Sequence, residues 1–447
     1  MNAKPLSLAL VGISVVALAV GFDPRGLRAG AAALPDDDRA IVHVLNRIGF
    51  GPRPGDVEAV RAVGLQNYID RQLHPERIPD AAVETRLSPL TTLSLSPRDL
   101  AEQFERPAVE ARLRRQAAAG NSPQVMPPPQ PPANGAGPMP DPVQQRANRP
   151  LVELGDAKLL RAIYSERQLQ EVLTDFWFNH FNVDARKGAD RILLPEYERE
   201  AIRPHVFGKF RELLGATAKS PAMLFYLDNW MSADPNGPHL PARQAQQPFF
   251  GRGGAGRGGF GGPVVPGPQG NQRPNMARGL NENYARELMQ LFTLGLTQLN
   301  PDGTPTNPAS PQPTYTEDDV KACARAFTGW SAAPAYPPFP YGRSPWEFRY
   351  DPADHDDSEK TFLGQTGRFN GEDIINIIVQ QEETARFLST RMFQFFAADE
   401  VNDAGQAVID AMMQTYFDSG YEIRSMLRTL FLSDYFRSEH ARFTRVK

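Results

Sequence analysis

Apolar residues recur along this chain at helical spacing far more often than they alternate. Ile41, Leu45 and Ile48 stand four and three residues apart behind the acidic run Asp36-Asp37-Asp38, the pattern of a capped amphipathic helix. After a turn over 49–54, Val57, Val60 and Val63 form a second stripe that ends at Gly64, and a third helix fits 65–73. Ser96-Pro97 opens a charged helix reaching about Ala118, with proline in the first turn, where its missing N–H costs nothing. Ser165 with Gln168 matches a capping box ahead of the stripe Leu169, Val172, Leu173 and Phe176. A helix over 196–203 stops before Pro204, and 210–227 supplies one or two more. Thr316 with Asp319 caps another, and helices are predicted at 371–380, 382–396, 406–417 and 421–432. Alternation is confined to 346–350 and 360–363, two runs on either side of a polar turn that predict one short hairpin.

Two stretches carry no apolar period. Residues 121–150 are crowded with proline, and 233–278 with Gly, Pro, Gln and Arg; both are expected to be disordered inserts. Gly254, Gly256 and Gly259 satisfy GxGxxG, but no strand precedes them and no helix follows directly, so they do not make a nucleotide loop. The arginine-glycine repeats beside them suit a flexible linker better than an RNA-binding arm. The helical stripes on either side of the inserts are apolar on one face and need each other to bury it. The expected fold is therefore mainly α: a single large multi-helical domain over 34–447 with one short β-hairpin.

The first 33 residues differ from the rest. Lys4 precedes an apolar run from Leu6 to Val20, and Ala31-Ala32-Ala33 offers a small-residue cleavage site, as in a signal peptide. The run is short for a membrane span of about 20 residues, so export with cleavage is expected, and an uncleaved segment would be the only membrane anchor. The 48 basic residues are outnumbered by 52 acidic ones, which leaves no positive surplus to attract nucleic acid. With one cysteine, Cys323, intramolecular disulfides and cysteine-rich zinc sites are impossible; among alanines it suits a small buried filler.

The densest chemistry lies in Gly279-Leu280-Asn281-Glu282-Asn283-Tyr284-Ala285-Arg286-Glu287-Leu288-Met289-Gln290-Leu291-Phe292-Thr293-Leu294-Gly295. Tyr284, Leu288 and Leu291 form its expected buried stripe and Gly295 its stop, while Glu282 and Arg286 stand four apart in the favourable order. Asn283 lies four before Glu287. The plain reading of these polar positions is a surface ion pair with an amide hydrogen bond. Elsewhere the chain carries Asn179, His180, Asn182, His205, Asp228, Asn229, Arg325, His355 and Lys360 embedded in apolar or aromatic segments, where unpaired polar groups are costly. His180, with Phe176 and Trp177 just before it, is either a helix-terminal cap or a metal ligand or general base. No HExxH, GxSxG, Walker loop or ExxH pair is present.

This signature, with Phe176-Trp177-Phe178-Asn179-His180-Phe181-Asn182-Val183, Ile202-Arg203-Pro204-His205, the run 223–229, Tyr315-Thr316-Glu317-Asp318-Asp319-Val320, Thr328-Gly329-Trp330, and His355 with Lys360 and Phe362-Leu363-Gly364, resembles the bacterial family catalogued as domain of unknown function 1800. The similarity runs from His43 to Phe436 apart from the inserts. It implies an exported protein of periplasmic or secreted location. It also implies a sulfatase-like exported partner, since relatives are commonly encoded beside one. Many relatives carry His where this chain has Phe292, which weakens any metal site including that position.

Three functional readings follow. In the first, an exported hydrolase-like enzyme uses Glu282 or Glu287 as acid/base, with Arg286 orienting an anionic or carbonyl group and His180 as a further catalytic candidate. Trp177, Asn179, Asn182, Asn283, Asp228, Trp330, His355 and Lys360 are then the candidate substrate contacts. In the second, a metal-dependent enzyme uses His180 and carboxylates of the signature helix. In the third, a non-catalytic envelope protein binds its partner or a polymer through an aromatic groove. The first is placed ahead of the others, with reaction, substrate and cofactor unassigned.

Overall fold

The computed structural model describes residues 37–120, 141–237, 280–295, 314–333, 346–438 and 440–441, with side chains to 115 in the first stretch. Helices build nearly all of it. Asp37 accepts a hydrogen bond from the Ala40 N–H and opens the helix Asp38–Ile48, whose Ile41, Leu45 and Ile48 are buried as their spacing predicts. That helix closes on the far end of the chain: His43 bonds the Phe436 carbonyl at 2.8 Å and Arg47 donates to the Ala441 carbonyl at 2.7 Å.

Gln168–His180 runs through the interior, with Leu169, Leu173 and Trp177 wholly inaccessible. The expected capping box ahead of it does not form. Ser165 ends the preceding helix, and Gln168 donates to the Ser165 carbonyl at 2.8 Å rather than accepting from its N–H. Ser165 instead joins Asp80 through its hydroxyl at 2.7 Å. The Thr316–Asp319 box is present in both directions and starts Glu317–Ala326. Glu382–Phe396, Asp403–Asp418 and Ile423–Phe431 pack in succession, and Phe210–Lys219 is tied to them where Phe210 N–H donates to Tyr421 and Ile423 N–H to Gly208.

Two boundaries differ from the pattern-based expectation. The helix Pro142–Tyr164 takes in the last nine residues of the proline-rich stretch, because Asp141 caps it and Pro142 occupies its first turn. Pro150 lies inside that helix and is buried. The remainder of that insert, 121–140, lies outside the described residues, as does 238–278 of the second, including the three glycines of its GxGxxG; Ala233 is buried. The two alternating runs are strands, but they do not pair with each other. β1 (Trp330–Ala333) pairs antiparallel with β2 (Glu347–Tyr350), and β3 (Lys360–Phe362) pairs with β4 (Gln365–Gly367) across a tight turn. Gly329 makes the first pairing possible: at φ +77° it leads into β1, and a Cβ there would strike the Asp351 carbonyl.

The signature segment is the third departure. Asn281 caps Glu282–Arg286 by accepting from the Tyr284 N–H, and the helix then widens into a π turn, Glu287–Leu291. Phe292 N–H donates five residues back to Glu287, and Leu294 N–H to Met289. One extra residue per turn advances the buried face, so Tyr284, Ala285, Leu288, Met289 and Phe292 point inward while Leu291 is 48% exposed. A regular 3.6-residue period would have buried Leu291. Gly295, at φ +76°, ends the segment against the Phe387 ring.

Candidate functional site

Most of the polar residues singled out in the sequence turn out to be fastened to other parts of the fold. Lys360 is wholly buried, and its ammonium donates to the carbonyls of Asp356 and Ser358 (the latter at 2.8 Å) beside the Asp356 carboxylate. Arg325 binds the same carboxylate at 2.6 Å, while Ser358 donates its hydroxyl to it. Burial opposes ionisation of Asp356, but these donors prevail and hold its carboxyl well below the usual range; burial lowers Lys360. His355 bonds the Thr328 carbonyl through Nδ1 at 3.0 Å and packs edge-on to Tyr350. Trp330 is buried between Phe327 and Phe348. These groups lock the loop before β3 to the helix Glu317–Ala326.

Arg203 performs the same office elsewhere. It is bonded to both oxygens of Glu171 at 2.8 and 2.9 Å and to Glu198 at 3.0 Å, and both carboxylates are 6% exposed. His205 bonds only the Ala201 carbonyl, one turn back. Asn229, fully buried, donates to the carbonyls of Phe327 and Trp330.

His180 is enclosed by rings. Trp177, Phe181, Phe292 and Phe387 lie within 4.7–6.2 Å of its centroid. Its Nε2 donates to the Phe292 carbonyl at 2.9 Å, which leaves Nδ1 as an acceptor, and that nitrogen is buried without a partner. Burial lowers its pKa to about 4, so the ring is neutral at pH 7 and has no carboxylate to relay a proton. The Phe292 ring, 6.2 Å away, supplies no metal ligand. Among the described residues no three His, Cys, Asp or Glu side chains are placed to hold a metal ion. Trp177 is core as well, with an unpaired Nε1.

The signature helix divides into two unlike halves. Arg286 reaches Glu282 at 3.4 Å but is clamped more tightly, at 2.9 and 2.6 Å, by both oxygens of Glu317 from the neighbouring helix. All three side chains are substantially exposed. This is a surface clamp, and Glu282 and Arg286 are both engaged in it. Asn283 is exposed and makes no hydrogen bond with Glu287. Glu287 itself makes no hydrogen bond or ion pair among the described residues; it is half-buried, and desolvation raises its pKa.

Electrostatically coupled to Glu287 through Tyr226 is a group that sequence reading recognised only at Asp228. Asp228 adopts a left-handed φ of +61°, a strained conformation for a non-glycine residue. Its carboxylate holds the Lys187 ammonium at 2.9 Å, and Lys187 also donates to the Tyr226 carbonyl. The Tyr226 phenol is pushed up by burial first and then by the charges of Asp184, Glu287 and Asp190, which therefore act on it electrostatically. Asp190 is inaccessible, and neither of its oxygens has a hydrogen-bond partner; burial raises its pKa well above the usual range. An acid followed directly by Arg-Ile-Leu-Leu was the available signal for Asp190, but it matches an ordinary helix start. Asn281 ties the signature to the same place by donating to the Leu227 carbonyl at 2.5 Å. Asn179 bonds the Asp175 carbonyl, Asn182 is exposed, and neither joins this group.

Lys187 and Asp228 thus pair beside Tyr226, electrostatic coupling links the Tyr226 phenol to Glu287 and Asp190, and the other sequence candidates are left in scaffold or surface roles. The chain belongs to the family described as Protein of unknown function (DUF1800), whose model matches residues 43–447. No curated protein and no solved structure matches it.

Proposed function

We propose that this chain is an exported acid/base enzyme of hydrolase type, periplasmic or secreted, in which Glu287 carries the proton transfer. One observation bears most of the weight. Of the three charged side chains in the signature helix, Glu287 alone has no hydrogen bond or ion pair among the described residues, and it is partly desolvated within electrostatic reach of the Tyr226 phenol. A carboxylate so placed has its pKa moved toward the range where general-base catalysis is effective. Glu287 would take a proton from an attacking water, and Lys187, anchored by Asp228, would face negative charge developing on the substrate. The Tyr226 phenol, which feels the Glu287 charge, would supply the proton for a leaving group.

The test is a panel of chromogenic esters, phosphates, sulfates and glycosides offered to the mature protein. At least one class should be turned over, and Glu287→Gln should lower its rate by about 10²–10⁴, the usual worth of a general base, while Glu282→Gln stays within a few-fold. Equal rates for Glu287→Gln and wild type would end this reading. N-terminal sequencing of protein from the envelope fraction should begin near Leu34; an intact Met1 in the cytoplasm would remove the export premise.

A second reading, a non-catalytic envelope protein working with a sulfatase-like partner, draws support from a different observation. The outer face of Pro142–Tyr164 exposes Val152, Leu159 and Ile163 by 57%, 63% and 52%. The apolar crevice beside Tyr284 and Phe292 leaves no room for a water molecule. Such a face suits a protein partner. Leu159→Arg should abolish co-purification of that partner without affecting turnover; retention of the partner would remove this alternative.

A further inference from the structure

Beside His180, the helix Glu382–Phe396 sets Phe387, Arg391 and Phe395 at i, i+4 and i+8, along one face. Arg391 is exposed at its rim, yet it has no hydrogen bond or ion pair among the described residues. Enough protein surrounds it that burial alone lowers its pKa, with no carboxylate contributing. A guanidinium partly removed from water without a counter-charge is unusual, because desolvating a cation is costly unless an anion pairs with it. Its guanidinium lies 5.7 Å from the centre of the Phe387 ring and acts electrostatically on His180. The same ring lies 6.0 Å from His180, whose Nδ1 is a fixed acceptor with no donor. A cation lacking an anion and an acceptor lacking a donor therefore flank one half-exposed aromatic ring. Phe395, in contact with Phe176 at 4.8 Å, extends the aromatic surface two helical turns further, about 12 Å at 1.5 Å per residue.

We propose that this face is a seat for an acidic sugar residue within a polymer. The planar fork of Arg391 matches a carboxylate in two-point fashion. The negative face of Phe387 suits the positively polarised C–H face of a pyranose ring. A hydroxyl next to the carboxylate is the donor that His180 Nδ1 lacks among the described residues, and reaching that buried nitrogen requires Phe387 to swing aside. The line of rings favours an extended chain with successive sugar units over a single carboxylate end. This seat is independent of Glu287, and either reading can fail without the other.

The test is calorimetric titration of the full mature chain with trigalacturonate, set against maltotriose, acetate and an acetylated dipeptide with a free carboxylate. Trigalacturonate should bind and the other three should not bind measurably at the same concentrations. Arg391→Leu should weaken binding at least about tenfold, the scale set by losing one charge-assisted two-point contact, and Arg391→Lys by less because charge remains without the fork. Melting temperature should be unaltered in both, since Arg391 has no partner to lose. The His180 Nδ1 resonance of the wild-type protein should shift on adding trigalacturonate, a readout that requires no variant at this core position. Unchanged binding in Arg391→Leu would overturn the proposal. So would a silent Nδ1 resonance, or acetate or the dipeptide matching trigalacturonate, which would mark an unselective anion contact or a peptide site.

Discussion

Replacing Arg203 with methionine should be among the most damaging single substitutions in this protein, although the residue has no part in the proposed chemistry. Its guanidinium makes three bonds of 2.8–3.0 Å to Glu171 and Glu198, and its side chain is 16% exposed. Methionine fills much of the same space but strands two carboxylates, each 6% exposed. Two other cations stand nearby, Arg161 at 3.8 Å from Glu171 and Lys158 at 3.7 Å from Glu198, both beyond hydrogen-bond distance. Removing one partner from a buried ionic pair costs about 3–5 kcal/mol. Two stranded charges push toward the top of that range and the two backup cations pull it down, so the expectation is about 4 kcal/mol. Against a total stability of about 5–15 kcal/mol, that is a quarter or more of the native margin. Urea unfolding followed by circular dichroism measures it directly as a lowered midpoint. The triple variant Arg203→Met, Glu171→Gln, Glu198→Gln should recover more than half of the loss, because no buried carboxylate is then stranded and only Arg161, a quarter exposed, loses its ion pair. A loss below about 1 kcal/mol for Arg203→Met would show that water reaches these carboxylates and would refute the network's burial.

Three further outcomes follow from the same structure. Glu282→Gln should change stability by no more than about 0.5 kcal/mol in a thermal melt, since the pair is exposed and Arg286 keeps Glu317. His180 should stay neutral and protonated on Nε2 from pH 8 down to about 5 in nitrogen-detected NMR, because its pKa is about 4. A depressed histidine gives stability that is present above its unfolded pKa of about 6.5 and lost as pH falls toward 4, about 3 kcal/mol at 1.36 per unit; titration near 6.5 would contradict the enclosure. Asp190 has the opposite sign. Its raised pKa gives a contribution that is full below about 4 and lost as pH rises through the folded value, so Asp190→Asn should gain on wild type between pH 5 and pH 8, and parallel stability profiles would show the carboxyl to be solvated.

The fold was legible where burial follows a helical period. Ile41, Leu45 and Ile48 are inward because nothing interrupts Asp38–Ile48. Leu291 was misplaced because a π turn shifts the phase by one residue, and hydrogen-bond register leaves no trace in the spacing of apolar side chains. The strand runs at 347–350 and 360–362 were visible, but their partners were not. Trp330–Ala333 looks like the tail of a helix until Gly329 turns it, and Gln365–Gly367 is too short to show alternation. The first residues of Pro142–Tyr164 were lost among prolines, although Asp141-Pro142 carried the start signal that was recognised at Ser96-Pro97.

The candidate site was less legible for a physical reason that the signature itself illustrates. A polar residue in an apolar segment must be paired, and pairing can come from the scaffold or from a ligand. Sequence spacing exposes partners one helical turn away, such as Glu282 and Arg286, and conceals partners contributed by distant segments. Glu317, 31 residues from Arg286, makes the tighter contact. Lys360, a candidate substrate contact for the same reason, is satisfied by its own loop, as Arg203 is by two glutamates. What survives this sorting is the group whose polar needs the protein does not meet. Among the described residues Glu287 has no hydrogen bond or ion pair and both buried oxygens of Asp190 are without a hydrogen-bond partner, while Asp228, at a left-handed φ, holds Lys187. Residues that cost stability without repaying it within the fold are where function is most economically sought. On that ground the second half of the signature, and not the Asn-Glu-Asn run that first draws the eye, is where mutagenesis should begin.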